Sequence, residues 1–278
     1  ARCCFNFNRE TISEKILLNL DKRYIKRASH IIAVSQSTKN DLVNYLNIPE
    51  SKISVIYNGV DHNIFRPYNM KLLDKPYILY VGSERRRKNL GRLFEAFAQL
   101  KGEFPQLKLV KVGGSGRSGG FRSETIKKLS SLGITDDVLF VDYLSELDLA
   151  YYYSSAALLA YPSLYEGFGL PPAEAMACGC PVVTSNTSSL PEVVGEAGIM
   201  VNPYDTSSLV QAMRRVLTDD KLRSNMVRKG LEQSKKFSWE KTAELTLQVY
   251  NKVARGELKD MAELALLQEA REIEGRRS

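Results

Sequence analysis

The sequence has few of the residues on which common catalytic and metal sites are built. Only two histidines, His30 and His62, occur among its 278 residues, so neither a histidine-based catalytic triad nor a histidine-rich zinc site is expected. No Asp-x-Asp triplet occurs, which argues against paired aspartates that hold a metal-bridged diphosphate. No apolar run approaches the roughly 18 residues of a membrane-spanning helix.

Cysteine is also scarce and is unevenly placed. The four cysteines form two close pairs, Cys3 with Cys4 and Cys178 with Cys180. This spacing suits neither a disulfide framework nor a zinc site, and it favours a reducing compartment. The expected location is therefore the cytoplasm.

Positive charge, in contrast, is in excess. The formal net charge is +7, and four basic residues follow one another at Arg85, Arg86, Arg87 and Lys88. Such an excess suits nucleic acid, anionic lipid or phosphorylated small molecules as partners. A solvated basic face explains any one of these residues about equally well.

Short β-branched and aliphatic runs alternate with longer helical patterns along most of the chain. The predicted strands are His30–Val34, Ile53–Tyr57, Tyr77–Val81, Leu107–Val112, Val138–Val141, Ala157–Tyr161, Pro181–Thr184 and Gly198–Val201. The predicted helices include Leu90–Lys101, Ser123–Leu132, Glu146–Ser154, Pro172–Cys178, Ser207–Leu217, Asp220–Lys235, Glu240–Ala254 and Leu258–Ile273. The six strands from Pro76 to Val201 predict one α/β domain, a doubly wound parallel sheet of Rossmann-like type with helices on both faces.

Four unusual segments follow strands of this predicted sheet. They are "GSERRRKN" (82–89), "GGSGRSGG" (113–120), "PSLYEGFGLPP" (162–172) and "SNTSSLPE" (185–192). Because ligands bind outside the carboxyl ends of parallel strands, we expect the four loops to surround one crevice.

The first two loops are suited to phosphate. Arg87 and Lys88 precede a helix, whose first N–H groups also attract anions. Gly114, Gly116 and Gly119 spell G-x-G-x-x-G, which is typical of dinucleotide sites. That fingerprint normally lies in the first βα unit, whereas this loop belongs to the second. A flexible loop that leaves backbone room for a ligand phosphate or sugar is therefore favoured.

The third loop carries two carboxylates, Glu166 and Glu174. Leu170 precedes Pro171 and is expected to be extended, which places Glu174 in the first turn of a helix that starts at Pro172. The helix dipole alone could explain Glu174 there, whereas Glu166 has no such explanation. Two hydrogen-bond acceptors in a basic crevice suit a ligand that has both hydroxyls and phosphates, such as a sugar nucleotide.

Three segments together resemble the retaining GT-B glycosyltransferases of family 4. "PSLYEGFGLPPAEAMACGCPVV" looks like their E-x7-E motif, "YVGSERRRKNLGRLFEAFAQL" like their phosphate loop, and "RASHIIAVSQSTKNDLVNYLNIPESKISVIYNGVDHNIFRP" like their interdomain segment. The resemblance runs from about residue 24 to 255. It implies transfer of a mannose- or glucose-type hexose from a nucleoside-diphosphate sugar, with retention and without a metal cofactor. Similarity is closest to members that often use GDP-mannose.

The resemblance also assigns roles to residues. It implies that Glu166, Lys88 and Arg87 act in catalysis and that Glu174 binds the ribose hydroxyls. Ser83 stands where the family has an arginine, so Arg87 is expected to substitute for it, and Asp142 stands where a glycine is common, which leaves the base open. The donor-binding positions implied are Gly82, Ser83, Lys88, Gly113, Gly114, Asp142, Tyr143, Phe168, Gly169, Leu170 and Glu174.

The expected domains are 1–66, a remnant of an N-terminal acceptor domain with its linker; 67–236, the donor domain; and 237–278, helices that cross back. Most of a GT-B N-terminal domain is expected to be missing from this chain, which is therefore expected to bind donor but to transfer sugar poorly. The expected partners are a nucleotide sugar such as GDP-mannose or a UDP-sugar and a saccharide or lipid-linked acceptor, and not nucleic acid. Peripheral contact with the inner face of the membrane and self-association are further expectations.

Two other functions remain open at this point. One is an NAD-dependent enzyme that modifies nucleotide sugars, although no Tyr-x-x-x-Lys pair occurs to perform its chemistry. The other is a basic module that binds phosphate or nucleic acid without catalysis, which would leave Glu166 and Glu174 unexplained.

Overall fold

The structure is a computed structural model that describes residues 24–115 and 120–257. The chain divides into two compact units, one of Ala1–Gly59 with Trp239–Ser278 and the other of Val60–Ser238. The predicted helix Leu258–Ile273 lies outside the described residues. No helix within the described ranges is both long and apolar enough to cross a membrane.

The regular elements follow the alternation seen in the sequence. The strands are β1 (Ile31–Ala33), β2 (Ile53–Val55), β3 (Tyr77–Val81), β4 (Lys108–Val112), β5 (Val138–Val141), β6 (Leu158–Tyr161), β7 (Val182–Ser185) and β8 (Ile199–Val201). The helices are α1 (Gln36–Leu46), α2 (Leu90–Lys101), α3 (Gly120–Ser131), α4 (Glu146–Ser155), α5 (Leu170–Ala177), α6 (Leu190–Val194), α7 (Thr206–Thr218), α8 (Asp220–Ser234) and α9 (Trp239–Ala254).

The larger unit contains a six-stranded sheet with the order β5-β4-β3-β6-β7-β8, and every neighbouring pair is parallel. The predicted doubly wound parallel sheet is therefore confirmed. In chain order within the unit this is 3-2-1-4-5-6, the Rossmann arrangement, so the winding reverses between β3 and β6. The loops that follow these two strands meet at the point where such sheets bind ligands.

The core of this unit surrounds its central strands. Residues Tyr77 to Tyr80 of β3 are almost fully buried, as are all four residues of β6. Helix α2 covers the sheet with an apolar stripe at helical spacing, formed by Leu93, Phe94, Phe97 and Leu100. A central strand that is buried on both faces holds its two ends in fixed positions, and the site loops begin at one of those ends.

The smaller unit has its own short parallel pair, β1 with β2. Ala33, Leu46, Ile48 and Ile53 form a small apolar cluster beside α1. Ser35 caps that helix by accepting a hydrogen bond from the Thr38 N–H. This unit carries none of the site residues inferred from the sequence.

The predicted start of the helix that carries Glu174 is wrong, and the difference matters for the site. Helix α5 begins at Leu170 rather than at Pro172. The first-turn N–H groups of a helix have no internal acceptor, so Pro171 and Pro172 are tolerated inside the first turn. Gly169, at φ 114°, makes the sharp turn that allows Leu170 to be helical. Glu174 is consequently the fifth residue of the helix, beyond the first turn, and the helix-dipole explanation for it fails.

Close packing at Gly198 provides a test of the sheet. A Cβ added there would lie 2.6 Å from Val194 Cγ1 and 2.7 Å from the Val182 carbonyl oxygen. We expect Gly198→Ala to lower the free energy of unfolding by about 1–3 kcal/mol because the backbone must move to admit the methyl group. Urea denaturation measures the change.

The matched control is Gly91→Ala, at an exposed position of helix α2, where an added Cβ meets no heavy atom within 4 Å. It should stabilise the chain by about 0.5–1 kcal/mol through helix propensity. If Gly198→Ala is as stable as the wild type, the packing between β7 and β8 is looser than described.

Candidate functional site

The site is centred on the carboxylate of Glu166, which two cations share. Lys88 Nζ lies 2.6 Å from Oε1 and Arg87 Nη1 lies 2.8 Å from Oε2. Arg87 Nη1 also donates to the Tyr165 carbonyl oxygen, at 2.9 Å. Lys88 and Glu166 are only 7% and 6% exposed. The sequence elements after β3 and β6 are thus joined by a buried ion cluster at the switch point.

Tyr161, the last residue of β6, completes this cluster. Its hydroxyl accepts from Lys88 Nζ at 2.5 Å and donates to Glu166 Oε1 at 3.0 Å. Its ring stacks against that of Tyr80 and lies below the Lys88 ammonium. The sequence analysis missed Tyr161. An aromatic residue with a polar tip at the carboxyl end of a buried strand was the available signal.

The cluster keeps its charges because they compensate one another. Burial alone would raise the pKa of Glu166, but the charges of Lys88 and Arg87 outweigh it and hold this pKa below its ordinary value. Burial lowers the pKa of Lys88, and the charge of Glu166 opposes the fall. Glu166 is therefore an anion at neutral pH, held between two cations.

The backbone fixes Arg87 and Lys88 in place. A 3₁₀ turn, Arg86–Lys88, follows β3, and Asn89 in the left-handed conformation, at φ 58°, separates it from α2. The Asn89 amide donates to the Pro162 and Pro203 carbonyl oxygens at 3.1 and 2.7 Å. Leu164 N–H donates to the Arg87 carbonyl oxygen at 2.8 Å. The two loops thus hold each other through backbone as well as side-chain contacts.

Not every member of the basic run takes part in the cluster. Arg86 points to solvent, where its guanidinium lies 3.9 Å from Glu124 in an exposed pair of little energetic weight. Arg87 and Lys88 are the two members that reach Glu166.

Glu174 has a different environment from that of Glu166. It lies on α5, and its Oε2 accepts from the hydroxyl of Tyr153, on α4, at 2.9 Å. Burial raises the pKa of Glu174 to about 7, against the opposing effect of the Tyr153 hydrogen bond, and Glu146 raises it further. The carboxyl group of this expected acceptor is therefore easier to protonate than that of an ordinary glutamate. Tyr153, like Tyr161, was not found from the sequence.

Serine side chains hold the segment between the two carboxylates. The Glu166 N–H donates to Ser188 Oγ at 2.9 Å, and Ser189 Oγ donates to the carbonyl oxygens of Glu166 and Phe168 at 3.0 and 2.5 Å. A Cβ on Gly169 would lie 2.9 Å from Leu190 Cδ2, so no larger residue fits there without movement.

The start of α5 is limited as an anion site. Pro171 and Pro172 have no N–H, so the helix can offer a ligand only N–H groups at and before Leu170. The Phe168 side chain does not face a ligand position, because it is buried and packs edge-on against Phe237 at 5.3 Å between ring centroids.

A second ion network joins the loop after β3 to β4, to α3 and to the loop after β5. Lys111, fully buried on β4, lies 3.0 Å from Glu84 Oε1, and Arg122 Nε lies 2.6 Å from the same atom. Arg122 Nη2 then reaches Asp142 Oδ1, after β5, at 2.7 Å. Lys111 also donates to the Gly113 carbonyl oxygen. Asp142 is therefore engaged in an ion pair before any nucleotide arrives.

Glycines allow the loops after β3 and β4 to approach closely. A Cβ on Gly113, at φ 107°, would lie 2.9 Å from the Gly82 carbonyl oxygen. The Ser83 carbonyl oxygen accepts from the Tyr80 hydroxyl at 3.2 Å, and that of Gly114 from Lys111 at 3.3 Å. Gly116 and Gly119 of the G-x-G-x-x-G pattern lie outside the described residues.

The predicted site residues all lie on loops at the carboxyl edge of the sheet or on the helix α5 that follows one of them. Glu166, Arg87 and Lys88 are in direct contact, whereas Glu174 and Asp142 belong to separate hydrogen-bond groups. Tyr143 is 89% exposed and is the most open aromatic of the set. In the ranges the structure describes, no group of three His, Cys, Asp or Glu side chains could hold a metal ion.

Known proteins share both sequence and fold with this chain. The O-antigen chain mannosyltransferase B of Escherichia coli is 31% identical over 248 residues, which is 82% of this chain and 64% of that protein. A D-inositol 3-phosphate glycosyltransferase of a Nocardioides species is 33% identical over 261 residues, 86% of this chain and 57% of that protein. The chain thus spans less than two thirds of these relatives.

Solved structures agree with this grouping. A sucrose-phosphate synthase from Thermosynechococcus elongatus has a TM-score of 0.78 and 31% identity, over 87% of this chain and 62% of that one. HepE from Anabaena, solved with UDP-glucose, has a TM-score of 0.75 over 85% of this chain and 68% of that one, and at 20% identity it shows the fold alone.

Two families match successive parts of the chain. The family described as Glycosyltransferase Family 4 matches residues 5–64. The family described as Glycosyl transferases group 1 matches residues 62–233, more than half of the chain and nearly all of the larger unit. The expected GT-B, Rossmann-like architecture is confirmed, and the chain belongs to the group 1 glycosyltransferases.

Proposed function

We propose that this chain supplies the donor site of a hexosyltransferase that moves a mannose- or glucose-type sugar from a nucleoside diphosphate to an acceptor hydroxyl, with retention and without a metal. The observation that supports it most is the buried Glu166–Arg87–Lys88 cluster at the switch point of the sheet. Cations and a carboxylate in contact there suit a ligand that carries phosphates and hydroxyls together.

Binding of the diphosphate rests on Arg87 and Lys88. Each can form charge-assisted hydrogen bonds that contribute about 1.5–3 kcal/mol. Their pairing with Glu166 leaves the cluster with one excess positive charge, so an incoming diphosphate meets a favourable field. The ligand can approach the backbone closely at Gly82, Ser83, Gly113 and Gly114, because three of these four residues are glycines.

The chemical step needs charge stabilisation more than it needs a protein nucleophile. As the bond between the anomeric carbon and the β-phosphate oxygen breaks, negative charge grows on the phosphate and positive charge on the sugar ring. Lys88 and Arg87 stabilise the phosphate, and Glu166 lies beside them to accept from sugar hydroxyls. The acceptor oxygen bonds to the anomeric carbon on the face the phosphate leaves, and its proton passes to that phosphate.

The rest of the donor lies along the carboxyl edge of the sheet in this proposal. Glu174 accepts hydrogen bonds from the ribose, and backbone N–H groups at Phe168, Gly169 and Leu170 contact sugar and phosphate oxygens. Asp142 and Tyr143 lie beside the base, with Tyr143 exposed enough to stack on it.

The donor and acceptor follow from the relatives only in outline. The similarity to mannosyltransferases favours GDP-mannose, and the UDP-glucose in HepE keeps a UDP-sugar open. A saccharide or lipid-linked acceptor, a cytoplasmic location, contact with the inner face of the membrane and self-association stay predictions.

A calorimetric panel tests the function directly. The chain should bind GDP-mannose or UDP-glucose, and the matching diphosphate, with the same affinity in EDTA as in magnesium, because protein cations hold the phosphates. NAD and an oligonucleotide serve as competitors from the other two functional classes. Binding that EDTA abolishes and magnesium or manganese restores would refute metal independence, and binding of only NAD or the oligonucleotide would refute the function.

Replacement of Lys88 tests the diphosphate contact. Lys88→Met should weaken binding of the diphosphate by about 1.5–3 kcal/mol, because one charge-assisted contact is lost. Lys101→Met is the matched control, since it removes a partly buried lysine whose partner, Asp137, lies away from the crevice. Thermal melts establish that both variants are folded at the temperature of the titration. Equal affinities in the two variants would remove Lys88 from the site.

Replacement of Glu166 separates its role from that of the cations. Glu166→Gln should retain or increase affinity for GDP or UDP, because Arg87 and Lys88 lose a competing negative charge. The affinity for the nucleotide sugar relative to the diphosphate should fall, since an anionic acceptor for sugar hydroxyls is lost. A variant that binds the free diphosphate tenfold more weakly than the wild type would contradict the assignment.

A further inference from the structure

Tyr153 is a buried side chain that neither the sequence motifs nor the proposed chemistry uses. It is fully shielded from solvent on α4, and its ring packs edge-on against Phe65 at 6.2 Å between centroids. Its hydroxyl lies 2.9 Å from Glu174 Oε2, across the contact between α4 and α5. A buried hydroxyl aimed at one oxygen of a partly exposed carboxylate is a specific arrangement.

We propose that Tyr153 is a positioning residue for the donor site: its hydroxyl holds Glu174 Oε2 so that Oε1 faces the ligand as an anionic acceptor. This inference rests on the proposed function, in which Glu174 accepts from the ribose. Within residues 24–115 and 120–257, no group donates a hydrogen bond to Oε1 in the structure. The inner oxygen is therefore occupied by the protein and the outer one is left for a ligand.

The hydroxyl acts in two ways. It restricts the Glu174 side chain to one orientation, which reduces the conformational entropy that ligand binding must remove. It also donates to the carboxylate, and such a hydrogen bond favours the charged form. Loss of the hydroxyl should therefore leave Glu174 both less ordered and more often protonated, and a protonated carboxyl is a poorer acceptor.

The surroundings of Glu174 make the second effect measurable near neutral pH. The titratable groups that face it are Tyr153 and Glu146 of α4 and Cys178 just after α5. Burial sets its pKa at about 7. Because the anion is the form that binds ribose, affinity should rise with pH through this value. Without the Tyr153 hydroxyl the rise should come at higher pH.

The test uses titration of the 278-residue chain with GDP-mannose and UDP-glucose across neutral pH. These ligands are suitable because their esterified diphosphates do not titrate in that range, unlike a free diphosphate. Tyr153→Phe should bind the preferred ligand about tenfold more weakly at pH 7. The midpoint of the rise in affinity with pH should move up by about one pH unit. Glu174→Gln should remove the pH dependence of affinity that Glu174 causes. Adding Tyr153→Phe to Glu174→Gln should weaken binding little further.

Tyr77→Phe is the matched control. It removes another buried tyrosine hydroxyl, which holds the same helix through the Tyr152 carbonyl oxygen at 2.7 Å but does not contact Glu174. Its midpoint should equal that of the wild type. Two outcomes overturn the inference and leave the proposed function intact. One is an unchanged pH midpoint in Tyr153→Phe, and the other is that Tyr153→Phe weakens binding equally in the wild-type and Glu174→Gln backgrounds. Failure of the wild-type chain to bind either sugar nucleotide overturns the proposed function and the inference together.

Discussion

The buried carboxylate of Glu166 is the interaction on which the crevice depends. An isolated anion at this depth would cost several kcal/mol in lost hydration. Two cations and the Tyr161 hydroxyl offset that cost, and removal of any one leaves the others partly uncompensated. Because the partners come from the loops after β3 and β6, their pairing ties both sides of the switch point together. The crevice is thus built before a ligand arrives.

The second network does the same for the other side of the crevice. Glu84, after β3, accepts from Lys111 on β4 and from Arg122 on α3, and Arg122 extends the chain of contacts to Asp142 after β5. Glu84 keeps a lowered pKa although burial opposes it, because the hydrogen bonds from its basic partners outweigh the burial. The charge of Asp142 is therefore already balanced by Arg122 within the protein.

The sequence was sufficient to predict the sheet and the loops at its edge, because burial of whole strands and strand-end position are properties of local sequence. It predicted that the loops of Arg87, Lys88 and Glu166 share one crevice, since parallel strands share one carboxyl edge, but it did not predict their direct ion pairs. Tyr161 and Tyr153 were missed because a buried tyrosine looks like core until its hydroxyl partner is known. That partner comes from a different element, so no local pattern reveals it.

The two carboxylates of the E-x7-E motif show why spacing alone does not assign a role. Both are substantially buried, yet the charges of Lys88 and Arg87 hold the pKa of Glu166 below its ordinary value, whereas burial raises that of Glu174 to about 7. The difference lies in what offsets the lost hydration: two cations and a hydroxyl for Glu166, but a hydroxyl alone for Glu174. Groups whose environments separate their pKa values in this way are suited to different tasks. Glu166 is committed to charge balance with Arg87 and Lys88, whereas Glu174 has a hydroxyl as its partner and a pKa near neutral pH.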